Sequence, residues 1–134
     1  MCDELNSLDC SKISKFSLNN LETKAKVVSV YDGDTVTLVF KFANEFYKWN
    51  CRLNGIDTPE MKSKDNDEKA FAIKARDFLR QQILGKIVDI KCGDFDKYGR
   101  LLISIFIEND INISDLMISE GYAKSYFGGT KEEW

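Results

Sequence analysis

The sequence predicts an α+β fold, mainly β, in which five short strands and two or three helices follow the order β-β-β-α-β-β-α. Three observations lead there. Five runs alternate apolar or aromatic residues with polar ones, the signature of half-buried strands. The hydrophobic period changes from two to about 3.6 between the third and fourth run, and again after the fifth. At 134 residues the chain can build one core and not two. Strands split three and two around a helix suit a small closed barrel better than an open sheet. A five-stranded barrel of OB-fold type, with a helix plugging one end, is the natural candidate.

Residues 1–20 read as a polar N-terminal tail of mixed charge, flexible or loosely packed, and residues 21–134 as the folded domain. The tail lacks the basic start and apolar middle of a secretory signal, so an intracellular, cytoplasmic protein is expected. No apolar run approaches the ~20 residues that span a bilayer, so no membrane partner is expected. "TKAKVVSV" and "TVTLVF" flank "DGD" and read as two strands joined by a tight Asp-Gly turn. In "FYKWNCRLNG", Tyr47, Trp49, Cys51 and Leu53 share one face, and Lys48, Asn50, Arg52 and Asn54 the other. Arg52 therefore points away from the side that packs.

A hairpin turning near Lys41 to Phe46 sets Asp34 opposite about Leu53 or Asn54. Asp57 follows within roughly 10–13 Å even at a full extension of ~3.3 Å per residue. Two carboxylates and Arg52 thus gather at one end of one hairpin. Next, "DNDEKAFAIKARDFLRQQILGK" places Phe71, Ala75, Phe78 and Leu79 at helical spacing, with N-cap candidates at Asp65 to Asp67 and a stop at Gly85. "KIVDIKC" and "RLLISIFI" return to strand alternation around the turn-rich "GDFDKYG". "NISDLMISEGYA" suits a short helix capped by Asn112 and ended by Gly121.

Composition narrows the chemistry. The chain contains no histidine, which excludes Ser-His and Cys-His catalysis and leaves carboxylates, lysine, tyrosine or a metal for acid–base work. Its four cysteines, Cys2, Cys10, Cys51 and Cys92, match no zinc spacing, and Cys51 and Cys92 read as buried thiols. The net charge of −3 speaks mildly against a nucleic-acid partner. That count includes Asp32, Asp34, Asp57 and Glu60, and carboxylates holding a divalent cation reverse the local sign. The stretch from Lys62 to Lys91 is itself net basic. Global charge does not decide the question.

Taken singly, the motifs have plain explanations. "DGDT" can be a turn, "DTPE" a helix start with Pro59 in the first turn, and "DKYGR" a solvated loop. Together and in this order, "DGDT", "RLNGIDTPE" and "DKYGR" resemble the staphylococcal nuclease-like (thermonuclease) family, from about Lys24 to Lys124, with "EGYAK" agreeing. The resemblance implies a Ca²⁺-dependent phosphodiesterase, Mg²⁺ or Mn²⁺ being the alternatives, acting as an endonuclease on single-stranded or loosened DNA and RNA and leaving 3′-phosphates. Carried over by matching position, Asp34 and Asp57 would bind the metal through side chains and Thr58 through its backbone carbonyl. Glu60 would orient the attacking water, Arg52 and Arg100 would grip the phosphate, and Lys97 and Tyr98 would contact a terminal phosphate.

Two departures from the family pattern stand out. Phe127 and Gly129 occupy the positions of two nucleotide-stacking tyrosines, for which Tyr126 would compensate, and "TKEEW" is at most the start of a third helix. A monomer is expected. The rival reading is a non-catalytic OB-fold module that binds nucleic acid without cutting it.

Overall fold

The computed structural model describes residues 2–126. The short helix α1 (Cys2–Asn6) and a 3₁₀ turn (Cys10–Lys12) come first, and residues 3–17 are exposed. Leu18 is the first buried side chain. Contact with the barrel begins slightly earlier, where the Phe16 ring meets Phe42 edge-on at 5.8 Å and Ser17 Oγ donates to Asp94.

The strands are β1 (Glu22–Val30), β2 (Thr35–Phe42), β3 (Glu45–Leu53), β4 (Ile56–Asp57), β5 (Ile87–Phe95), β6 (Leu101–Ile107), β7 (Ile111–Asn112) and β8 (Lys124–Ser125). Helix α2 (Asn66–Ile83) separates β4 from β5, and α3 (Ile113–Ser119) follows β7. The main sheet runs β3-β2-β1-β5-β6-β7, and a parallel pairing of β3 with β6 closes its five long strands into a barrel. The two-residue β4 and β8 form a separate ribbon beside it. The expected barrel and its order of long elements are therefore present, with three helices among the described residues. No described helix is long and apolar enough to cross a membrane.

Strand alternation builds the core. Val36, Leu38 and Phe40 from β2, Cys51 and Leu53 from β3, and Leu101, Ile103 and Ile105 from β6 are at most 1% exposed. Burial pushes the Cys51 thiol up to about 12, with the neighbouring Cys92 adding to it, and pushes Cys92 up to about 11. Both are reduced core thiols, chemically quiet at neutral pH.

Helix α2 begins where Asp65 accepts hydrogen bonds from the Asp67 and Glu68 amides, and it ends before Gly85 at φ +76°. Its buried stripe is Ala72, Ala75, Leu79 and Ile83. The sequence pattern put Phe71 and Phe78 on that stripe. They lie at its flank instead, where Phe78 stacks on Tyr122 at 4.8 Å and Phe71 lies 6.1 Å from the same ring. Small residues let the helix approach the barrel, and the large rings fill the gap to the C-terminal segment.

One turn lies where the expected register put it and one differs from expectation. The β2–β3 hairpin uses Ala43 and Asn44, both at positive φ (52° and 68°), as a two-residue primed turn requires. No Asn-Gly pair advertised it. The Asp-Gly pair, by contrast, sits in a wider loop over residues 31–34, and Gly33 is not at positive φ. Its lack of a side chain serves packing: a Cβ there would stand 2.9 Å from Thr58 Cγ2. The expected "TKEEW" helix start and the substitutions at Phe127 and Gly129 lie outside the described residues.

Candidate active site

The β2–β3 register pairs Thr35 with Arg52 and Phe42 with Glu45, and the Leu53 amide donates to the Asp34 carbonyl at 2.8 Å. Asp34 thus stands immediately before β2, beside the end of β3, as the hairpin reading required. The chain leaves β3 through Gly55 at φ +85° and returns as β4, which delivers Asp57 to the same end. The Asp57 position is held from its other side by pairing with Lys124 of β8. A third tether comes from α2, where the Arg80 guanidinium donates two hydrogen bonds, 3.2 and 3.0 Å, to the Val30 carbonyl just before the Asp32-Gly33-Asp34 loop.

These elements enclose a cleft of about 280 Å³ lined by Asp32, Asp34, Arg52, Asp57, Thr58, Glu60 and Arg100, among others. Arg52 Nη2 lies 3.5 Å from Asp34 Oδ2 and 3.8 Å from Asp57 Oδ1. Its side chain is only 11% exposed, although it stands on the outer face of β3. Asp34, Asp57 and Thr58 are buried as well. Asp34 Oδ2 also faces the Thr58 amide at 3.3 Å, and Asp34 Oδ1 accepts from the Thr35 hydroxyl at 3.1 Å. The Tyr126 ring centroid lies 5.7 Å from the Arg52 guanidinium carbon, and the Tyr126 amide donates to the Gly55 carbonyl. This places Tyr126 as a lid on Arg52.

Arg100 enters from the turn between β5 and β6. Asp96 accepts from its Nε at 2.8 Å and from the Arg100 and Tyr98 amides, so the turn builds the seat for its own arginine. Burial works to raise the Asp96 carboxyl, but those amides and the Arg100 charge outweigh it and hold the group below its ordinary value. Lys97 and Tyr98 do not line the cleft. Tyr98 is 72% exposed, with Arg100 5.4 Å and Lys97 Nζ 5.2 Å from its ring.

Sequence reasoning did not single out Asp96, Arg80 or the separate part of Asp32. Asp32 lines the cleft and accepts from the Asp34 amide at 3.0 Å. Its carboxyl is pushed up to about 6, first by burial and then by the charge of Asp34. Its position two residues before Asp34 was the available signal.

Among the described residues, no group of three or more histidine, cysteine, aspartate or glutamate side chains stands close enough to hold a metal ion alone. The donor chemistry nevertheless fits a hard divalent cation. Asp34 and Asp57 each bring a carboxylate oxygen within 4 Å of Arg52 Nη2, and Asp32 adds anionic crowding that burial makes costly. The cleft lining offers mainly oxygen donors, with Met61 its one thioether. Water and substrate oxygens would complete such a shell.

Residues 50–133 match the model of the family described as Staphylococcal nuclease homologue. An uncharacterized protein of Methanocaldococcus jannaschii is 34% identical over 75% of this chain and 58% of its own length. The thermonuclease of Staphylococcus hyicus is 28% identical over 81% of this chain and 63% of its own. Endonuclease YhcR of Bacillus subtilis is 30% identical over 79% of this chain but only 9% of its own. The chain therefore spans less than two thirds of each of these relatives.

Proposed function

Because the chain belongs to the staphylococcal nuclease homologue family, we propose that it is a metal-dependent endonuclease hydrolysing phosphodiester bonds of DNA and RNA. The observation that carries this reading is the convergence of Asp34 and Asp57 on Arg52, in a cleft that also presents Glu60 and Arg100. A phosphodiester resists attack because its anionic oxygens repel a nucleophile and its alkoxide leaves poorly. In this proposal Asp34, Asp57 and the Thr58 carbonyl hold Ca²⁺, or Mg²⁺ or Mn²⁺ in its place. When bound, such an ion neutralises phosphate charge and acidifies water.

The chain's own residues do the remainder. Glu60 is exposed at the cleft rim, where it can orient a water and take its proton. Arg52 and Arg100 supply planar donors to phosphate oxygens whose charge grows in the transition state. Arg52 meets the two carboxylates through Nη2, one end of a planar group that carries five N–H donors. By the family resemblance, Lys97 and Tyr98, which lie outside the cleft lining, would contact a terminal phosphate, and the products would carry 3′-phosphates.

The deciding experiment is an assay on single-stranded DNA and RNA with Ca²⁺, Mg²⁺, Mn²⁺ or chelator, comparing the wild type with Glu60→Gln. Cleavage that needs a divalent cation and drops by about 10²–10³ in the variant is expected. A wild type that binds oligonucleotides and cuts none under any cation would instead be a binding module.

A further inference from the structure

Beyond the cleft, the outer face of the β2–β3 hairpin continues directly from Arg52. Paired residues share a face, so Thr35, Thr37, Val39 and Lys41 stand beside Arg52, Asn50, Lys48 and Phe46. Neither row contains a carboxylate; Glu45 at the tip alternates to the opposite face. The row crosses onto β1, where Lys26 pairs with Val39 and so flanks Lys48 across one intervening strand. Lys26, Lys41 and Lys48 are exposed, and among the described residues none of them makes an ion pair. In a chain of net charge −3, two hairpin rows without a carboxylate are not the average surface, although the same face carries Glu22 on β1 and, ion-paired with Lys24, Asp89 on β5.

At its far end Phe46 is 69% exposed, with Lys41 Nζ 5.6 Å from its ring. A large ring left in water beside a cation costs the folded chain something and offers a flat platform to a ligand. From Phe46 to Arg52 the strand runs about 20 Å at ~3.3 Å per residue. Polar and threonine side chains, Thr37 and Asn50, fill the middle, where Thr37 Oγ1 stands 3.4 Å from Asn50 Oδ1.

We infer that this face is the track for the single-stranded polynucleotide flanking the scissile bond, with Lys26, Lys41 and Lys48 on its phosphates and Phe46 under one base. This deepens the nuclease reading and rests on it for the position of the scissile bond. The occupant follows from three features. The face is continuous with the phosphate-gripping Arg52, its charge is opposite to that of a polynucleotide, and it combines spaced cations with an aromatic platform, as non-specific single-strand binding requires.

The test uses labelled oligothymidylates of two and about 16 nucleotides, bound in the presence of chelator so that nothing is cut. It compares wild type, the triple variant Lys26→Glu/Lys41→Glu/Lys48→Glu, and Phe46→Ala, with thermal midpoints confirming the fold. For the long oligonucleotide the triple variant should bind at least about tenfold more weakly, and its salt slope should flatten by about two, from ~0.7 per lost phosphate contact. Phe46→Ala should lose about tenfold with the slope unchanged, and Phe46→Tyr should restore it. Dinucleotide binding should be the same in all variants.

Equal affinity of wild type and both variants for the long oligonucleotide overturns the track, as does a dinucleotide loss of the same size. Poly-glutamate bound as tightly as the oligonucleotide, and equally by Phe46→Ala, overturns the choice of occupant. Failure of the wild type to cut any substrate with added cation speaks against catalysis alone and leaves the binding comparison standing.

Discussion

Arg52 Nη2 stands between two buried carboxylates, and that position governs how its part can be measured. Deleting the side chain removes a positive charge from beside two buried carboxylates, a loss of about 3–5 kcal/mol in comparable pairs. Arg52→Ala therefore confounds stability with chemistry. Arg52→Lys keeps the charge and loses the planar fork. It should lower kcat on single-stranded DNA by about 10²–10³ while shifting the unfolding midpoint far less than Arg52→Ala does. Comparing the two variants by kinetics and thermal melts checks this. The residues in contact with the cleft were legible because "RLNGIDTPE" and "DGDT" carry them at readable positions. Tyr126 was legible as a substitute for a nucleotide-stacking tyrosine, and folding gave it a neighbour, the Arg52 guanidinium, that lies 74 positions earlier in sequence.

Two loops place the charged groups, and each can be tested without touching a candidate catalytic side chain. Gly33→Ala would drive a methyl to within 2.9 Å of Thr58 Cγ2, forcing apart the loop that bears Asp34 and the segment that bears Asp57 and Thr58. A loss of about 1–3 kcal/mol in stability is expected, with reduced cleavage in step, measured by denaturant unfolding and by rate. The second loop depends on Asp96, whose folded carboxyl titrates below its unfolded value. Its contribution is complete above about pH 4 and is lost as the pH falls through the folded value. Asp96→Asn should therefore be less stable than wild type at pH 7, by about 1–2 kcal/mol, and the gap should narrow as the pH falls through the folded value of the carboxyl. Neither effect was visible in the one-dimensional pattern. "DGD" and "DKYG" read as turns, and what each turn seats depends on segments arriving from elsewhere in the chain.

At the scale of the molecule, the barrel turns distant segments into one cleft by closing β3 against β6. Arg52 offsets part of the anionic crowding in that cleft, and a bound cation would relieve it further. Divalent cation should thus raise the unfolding midpoint, since any ligand of the native state alone stabilises it. At 100 times its Kd the gain is about 2.7 kcal/mol, which at this chain length is on the order of ten degrees. A thermal scan with Ca²⁺, Mg²⁺, Mn²⁺ and chelator measures it, and Asp34→Asn with Asp57→Asn should abolish the shift. An unchanged midpoint under every cation would remove the metal from the proposal.

Local pattern by itself determined the five long strands, the long helix, the short capped helix and the approach of Asp34, Arg52 and Asp57, because period-two alternation and one hairpin register are properties of neighbouring residues. It could not reach the β4–β8 ribbon, the Arg80 tether, the Asp96 seat or the lid of Tyr126 on Arg52. Each of these joins residues from separate elements, or depends on how closely two backbones come together. Only the closed barrel brings those partners within contact distance, and only there do burial and neighbouring charge decide how the shared side chains behave.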